Sequence, residues 1–80
     1  MPHINLKIAA GQSEVVKRAL ADAFVASLVE IAGADPELIS VAIEDIAPRD
    51  WARDVYDREI GPRPDTLYRQ PGYNPGQLPR

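Results

Sequence analysis

Polar and apolar residues begin to alternate at the third position of the chain. His3, Asn5 and Lys7 take one parity and Ile4, Leu6 and Ile8 the other, the period of two that a half-buried β-strand imposes. The stretch AAGQ follows as a loop, with Gly11 available for a backbone angle closed to most residues. Ser13 stands where a helix N-cap belongs, and Glu14 where the helix dipole favours an acid. From there Val16, Leu20, Ala23, Phe24, Ser27, Leu28 and Ile31 recur at spacings of three and four, while Lys17, Arg18, Asp22 and Glu30 mostly fall elsewhere. This pattern predicts an amphipathic helix of about five turns with that set as its apolar face. Gly33 is its natural stop and Asp35-Pro36 the break. A second alternation, Ile39, Val41 and Ile43 against Ser40, Ala42 and Glu44, predicts a second strand ended by Pro48.

Strand, helix and strand form a βαβ unit with parallel strands and a right-handed crossover. The expected fold class is α/β (α+β), one such unit followed by a short C-terminal helix. Two strands and one helix leave both sheet edges open and one sheet face thinly covered, and open edges invite pairing. A second copy joined edge to edge would complete a four-stranded sheet with two helices on one face. An obligate homodimer is therefore expected, and a larger assembly is open. In the last third, Trp51, Val55, Tyr56 and Ile60 predict the short helix, with Pro48 near its start and Asp50 and Asp54 suited to its first turn. Gly61-Pro62 should interrupt it, and Pro64-Asp65 should begin a further turn or two through Tyr68. The tail, QPGYNPGQLPR, is expected to be irregular over about residues 70–80. The whole chain, residues 1–80, reads as one domain without an internal repeat.

Composition narrows the chemistry. With no cysteine and one histidine, disulfides are excluded and a structural zinc site is not expected. Nine Lys and Arg against twelve Asp and Glu give a net charge of −3, which argues against a nucleic-acid partner. No apolar run approaches the roughly 18–20 residues needed to span a bilayer, and the N-terminus lacks the basic and apolar regions of a signal peptide. A cytoplasmic protein with no membrane partner is the expectation. HExxH, Walker and GxGxxG motifs are all absent. Ser13 is accounted for as a cap, Ser27 and Ser40 fit helix and strand interiors, and nothing places His3 beside a serine.

What remains is Pro2. Aminopeptidases remove an initiator methionine when a small residue follows, and the product here would be a secondary amine held by a strand. An ordinary α-amino group has a pKa of about 7.7–8.0, and an apolar wall or a nearby cation lowers it toward neutrality. Such a group suits general acid–base catalysis, and its ring limits where the nitrogen can point.

The start MPHINLKI, the G-x-S that follows, the long helix and the stretch SVAIEDI resemble the small tautomerases related to 4-oxalocrotonate tautomerase, over roughly residues 2–60. The P-H-I start, I-x-P-x-x-W at Ile46–Trp51, Glu59-Ile60 and PGY at Pro71–Tyr73 are closest to the phenylpyruvate-type branch, typically dimeric. The resemblance implies an N-terminal proline that moves a proton within an enol or keto acid, without metal or cofactor. It also implies two substrate-binding arginines, but Gln12 and Ala42 stand at their positions. A dicarboxylate substrate is thereby disfavoured, and a small 2-keto or 2-hydroxy-enoic monocarboxylate with an aromatic or apolar tail fits better. Trp51 matches the family's aromatic wall, Gln12 is a hydrogen-bonding substitute for one arginine, and Arg53, among Arg49, Arg53 and Arg58, is a candidate carboxylate partner. Other Pro2-dependent reactions, namely hydration, dehalogenation and decarboxylation, share the same base. The rival reading is a non-catalytic βαβ interaction module whose proline is incidental.

Overall fold

The computed structural model of the chain describes residues 1–79. The chain divides into two compact units, Met1–Asp45 and the residues from Ile46 onward. In the first unit, strand β1 (His3–Ala9) leads into helix α1 (Glu14–Ala32), a 3₁₀ turn at Pro36–Leu38 and strand β2 (Ser40–Ile46), whose last residue opens the second unit. The two strands form a parallel two-stranded sheet, as the alternation predicts.

Local chemistry sets the boundaries of α1. The Ser13 hydroxyl accepts the Val16 N–H at 3.2 Å, which satisfies one of the free donors of the first turn. Gly33 takes the left-handed conformation, φ +67°, and the amides of Gly33 and Ala34 close onto the carbonyls of Val29 and Leu28 at 3.1 and 3.2 Å. The loop before α1 also uses its glycine, with Gly11 at φ +127°.

The packed face of α1 differs from the expected one. Lys17, Leu20, Ala21, Phe24, Val25 and Leu28 are half-buried, whereas Val16, Ala23, Ser27 and Ile31 are exposed. Apolar residues run nearly all round this helix, so the sheet decides which stripe is covered. Ala21 and Lys17 share a cleft with Val41 and Ile43 of β2, and the Lys17 ammonium reaches the Asp45 carboxylate at 2.6 Å and Glu14 at 3.6 Å. That pairing draws Lys17 inward, against the solvent-facing place its charge predicts. No residue of α1 is fully buried, and Ile31 and Val15 are 84% and 79% exposed. Among the described residues, only Ala52 and Val55 of the second unit are buried.

In the second unit the expected short helix has a different form. A 3₁₀ turn at Pro48–Asp50 leads through Trp51 into a π-helix over Ala52–Ile60, with the Gly61 N–H closing on the Tyr56 carbonyl at 2.9 Å. A π-helix of this length is uncommon. The spacing of Trp51, Val55, Tyr56 and Ile60 fits its wider turn as well as an α-helical one. After the Gly61-Pro62 break comes one 3₁₀ turn, Pro64–Thr66. It ends at Leu67, whose backbone is extended, so the segment does not continue through Tyr68. The described part of the tail carries a capped 3₁₀ turn at Pro75–Gln77. There the Asn74 side chain accepts the Gly76 N–H at 2.9 Å and Gln77 Oε1 accepts the Asn74 N–H at 2.8 Å.

Candidate active site

Pro2 is half-buried at the lip of β1, while Met1 ahead of it is 95% exposed. The Pro2 carbonyl accepts the Ser40 N–H at 3.2 Å. In a parallel ladder this bond puts Ser40 opposite His3 and, two pairs on, Glu44 opposite Lys7. The side chains follow that register. His3 Nδ1 and Ser40 Oγ lie 2.6 Å apart. Asn5 Nδ2 donates to Glu44 Oε2 at 2.9 Å, and the Lys7 ammonium is 3.8 Å from the same oxygen. The face of the sheet turned away from α1 therefore carries a paired polar ladder, with Ala42 opposite Asn5 in its middle. His3 lies on this face, as the pleat predicts. Lys7 sits five residues along β1 from Pro2, about 16 Å at the strand's rise, and is engaged by Glu44.

On the other face, Ile4 shares an apolar groove of about 250 Å³ with Phe24, Ser27, Leu28, Ile31 and Ala32. Ile4 is two residues from Pro2 with the same parity, so the groove lies at Pro2's end of the strand.

The other candidate residues fall elsewhere. Gln12 is exposed in the loop beyond the far end of β1. The seven residues of that strand put roughly 20 Å between its ends, so Gln12 and Pro2 of one protomer do not meet. Trp51 and Arg53 belong to the second unit. Trp51 is half-buried and its indole N–H donates to the Tyr73 hydroxyl at 3.0 Å. The Tyr73 ring in turn lies 6.2 Å from that of Tyr56, tilted by 56°. Arg53 grips Asp54 in a fork, Nε to Oδ1 at 2.7 Å and Nη2 to Oδ2 at 2.9 Å, and approaches Asp50 at 3.2 Å. Hydrogen bonding to Asp54 raises the Arg53 pKa, and Arg53 holds the Asp54 carboxyl below its usual range. In the first unit, hydrogen bonding to Asp45 raises the Lys17 pKa.

Sequence alone gives Ser40 a place in a strand and puts no serine beside His3; the structure corrects the second point, with Ser40 Oγ 2.6 Å from His3 Nδ1. A serine in a strand carries no signal of its own. Its meaning comes from the register, which joins it to Pro2 through the backbone and to His3 through the side chain. Among the described residues there is no group of His, Asp and Glu able to hold a metal ion, and no helix long and apolar enough to cross a membrane.

Comparison with known proteins places this arrangement. The family model described as "Tautomerase enzyme" matches residues 2–57. A protein of Xylella fastidiosa named "Probable tautomerase" is 42% identical over 78 residues, which span 98% of this chain and 93% of that one. Tautomerase PptA of Cronobacter sakazakii is 38% identical over 74 residues, covering 91% of this chain and 97% of the relative. Among solved structures, TomN, a 4-oxalocrotonate tautomerase homologue of the tomaymycin biosynthetic pathway, superposes with a TM-score of 0.61 at 28% identity, over 81% of this chain and 97% of its own. With its βαβ fold, its proline at the head of β1 and these relatives, the chain belongs to the tautomerase family, as a small isomerase of the 4-oxalocrotonate tautomerase type.

Proposed function

We propose that the chain is a cofactor-independent enol–keto tautomerase in which the Pro2 amine, freed by removal of Met1, is the general base and acid. The observation that carries this reading is the contrast at the N-terminus. Met1 projects into solvent, 95% exposed, while Pro2 is half-buried with its carbonyl bound by Ser40. Excision of Met1 therefore removes no packing and leaves a secondary amine on a held residue.

The proton accounting is simple. The neutral amine takes the hydroxyl proton of a 2-hydroxy-enoic acid. The O–H pair becomes the new C2–O π bond, and the C2–C3 π pair takes the proton back from the ammonium at C3. Nothing is oxidised, and the enzyme ends as it began. An amine with a pKa near the working pH serves both halves of this cycle.

The apolar groove of Ile4, Phe24 and Leu28 at Pro2's end of β1 supports an apolar or aromatic substrate tail. Alanine at position 42 and glutamine at position 12 support a monocarboxylate over a dicarboxylate. In this reading Trp51 walls the site, and Arg53 exchanges its Asp54 fork for the substrate carboxylate. Gln12 reaches a Pro2 only across a boundary between subunits. A homodimer, with a hexamer as its larger alternative, fits an α1 without one fully buried residue and an Ile31 that is 84% exposed. A cytoplasmic location completes the proposal.

The test is the ultraviolet-monitored ketonisation of phenylenolpyruvate, with protein whose mass confirms loss of Met1, beside Pro2→Ala. A clear rate that disappears on substitution is the expected result. No rate above buffer with this substrate or with 2-hydroxymuconate would refute the tautomerase proposal and favour the interaction module or another Pro2-dependent reaction.

A further inference from the structure

We propose that Ser40 is the positioning residue of the Pro2 base and that His3 holds Ser40 in that role, an inference that rests on the reading of Pro2 as the base. A terminal proline has few torsions to hold. Its ring fixes φ, so one backbone torsion, ψ of Pro2, decides where the nitrogen points relative to the sheet. Both ends of that torsion are held. The ring is half-buried, and the peptide plane after it is tied down by the Ser40 N–H on the Pro2 carbonyl at 3.2 Å. That bond lies at the very start of β2, where a ladder ordinarily frays. The Ser40 hydroxyl removes the slack, because its 2.6 Å contact with His3 Nδ1 ties Ser40 to β1 a second time, at the residue after Pro2.

One serine thus touches β1 on both sides of the Pro2–His3 peptide, by its backbone to the carbonyl before it and by its side chain to the residue after it. A hydroxyl both donates and accepts, so the contact persists with either tautomer of the ring and with the ring protonated. It acts as a mechanical constraint at every pH at which Pro2 cycles. Farther along the same face, Glu44 bonds Asn5 and approaches Lys7, so the ladder is anchored again beyond Ala42. The pair at His3 and Ser40 is the anchor next to the reacting end.

Small displacements of a catalytic group are expensive in rate, with about 1 Å able to change it a hundredfold. For a partial loosening the expected effect of Ser40→Ala is a fall in kcat of about tenfold, with KM changed less than about twofold. Ser40→Thr keeps the hydroxyl on a strand-forming residue and should restore most of the rate. His3→Asn keeps a hydrogen-bonding atom at the δ position and should remain near wild type, whereas His3→Phe keeps a ring without it and should behave as Ser40→Ala. The double variant Ser40→Ala/His3→Phe should lose no more than either alone, since both break one contact. A kcat for Ser40→Ala within twofold of wild type, or fully additive losses, would overturn the proposal.

A second measurement separates this idea from the identity of the base. Carbon-13 relaxation of Pro2 in Met1-free protein should show a lower order parameter at its Cδ in Ser40→Ala and His3→Phe than in wild type, Ser40→Thr and His3→Asn, with Ile8 unchanged in all five. If wild type turns over neither substrate, the base reading fails and these order parameters still decide the positioning. An unchanged Pro2 in Ser40→Ala would refute it.

Discussion

Three glycines make a graded test of the backbone in which the structure assigns a different outcome to each. Gly33 ends α1 at φ +67° and Gly11 turns the chain before α1 at φ +127°, whereas Gly72 has no positive φ. A Cβ at any of the three would meet nothing within 4 Å, so steric contact drops out and the torsion alone decides. Alanine in the left-handed region costs about 1–2 kcal/mol, and the smaller freedom of its unfolded chain returns about 0.4–1 kcal/mol. Gly33→Ala should therefore destabilise by about 1 kcal/mol. Gly11→Ala should destabilise by at least as much, because its φ lies past the narrow left-handed well that alanine can enter. Gly72→Ala retains only the unfolded-state term and should be neutral or more stable by up to about 1 kcal/mol. Urea unfolding followed by circular dichroism at one fixed protomer concentration reads all three, since any self-association makes stability concentration-dependent. With a slope of about 1 kcal/mol per molar for so short a chain, Gly33→Ala should lower the midpoint by about 1 M while Gly72→Ala leaves it or raises it. Equal shifts for Gly33→Ala and Gly72→Ala, at unchanged slope, would show that the capping geometry of α1 is not what these torsions say.

Two other contacts yield predictions of a different kind. Tyr73→Phe deletes the acceptor of the Trp51 N–H; with a single tryptophan in the chain, its emission maximum should move, with a loss of about 1 kcal/mol, and an unchanged spectrum and midpoint would contradict the contact. The Lys17 pKa is raised by its bond to Asp45, so the folded state holds that proton more tightly than the unfolded one. The stabilisation is complete below the unfolded lysine pKa of about 10.4 and is lost as pH climbs through the folded value. Urea midpoints of wild type should fall more steeply than those of Lys17→Met above about pH 10, and parallel curves would refute the linkage.

Much of the first unit was legible because its signals are local. The alternation in β1, the Ser13 cap and the glycines at 11 and 33 each act within a few residues, and each appears where the pattern puts it. What escaped depends on partners distant in sequence. The packed stripe of α1 shifts toward Lys17, Ala21 and Val25 because Asp45, Val41 and Ile43 lie there, and a helix apolar on several sides cannot declare in advance which side the sheet will take. The π-helix at Ala52–Ile60 escaped because Trp51, Val55, Tyr56 and Ile60 satisfy two helical periods at once. At the candidate site the proline was visible from composition and position, but the register was not. Parallel strands joined through a helix have no tight turn to set their offset, so only packing could bring Ser40 opposite His3.

That register bears on how so small a chain can do chemistry. Most active sites gather buried groups from several elements, and a domain in which no residue of Met1–Asp45 is fully buried offers no such enclosure. A terminal amine needs no burial to be reactive, since its ordinary pKa already lies within about one unit of neutrality. Its weakness is mobility, because chain ends are the least ordered part of most domains. On the proposed mechanism the problem of catalysis therefore reduces to holding one end of the chain still. The ring removes one torsion, the sheet begins at the next residue, and Ser40 closes the ladder on both sides of the first peptide. The strand serves as scaffold and active-site support at once, but its lysine, Lys7, lies about 16 Å from Pro2 and is engaged by Glu44, so it does not supply the positive charge that steadies a developing enolate. With Gln12 and Ala42 at the two arginine positions of the resemblance, that charge has to come from Arg53 or another cation, or the substrate must be one whose apolar tail supplies most of the binding energy.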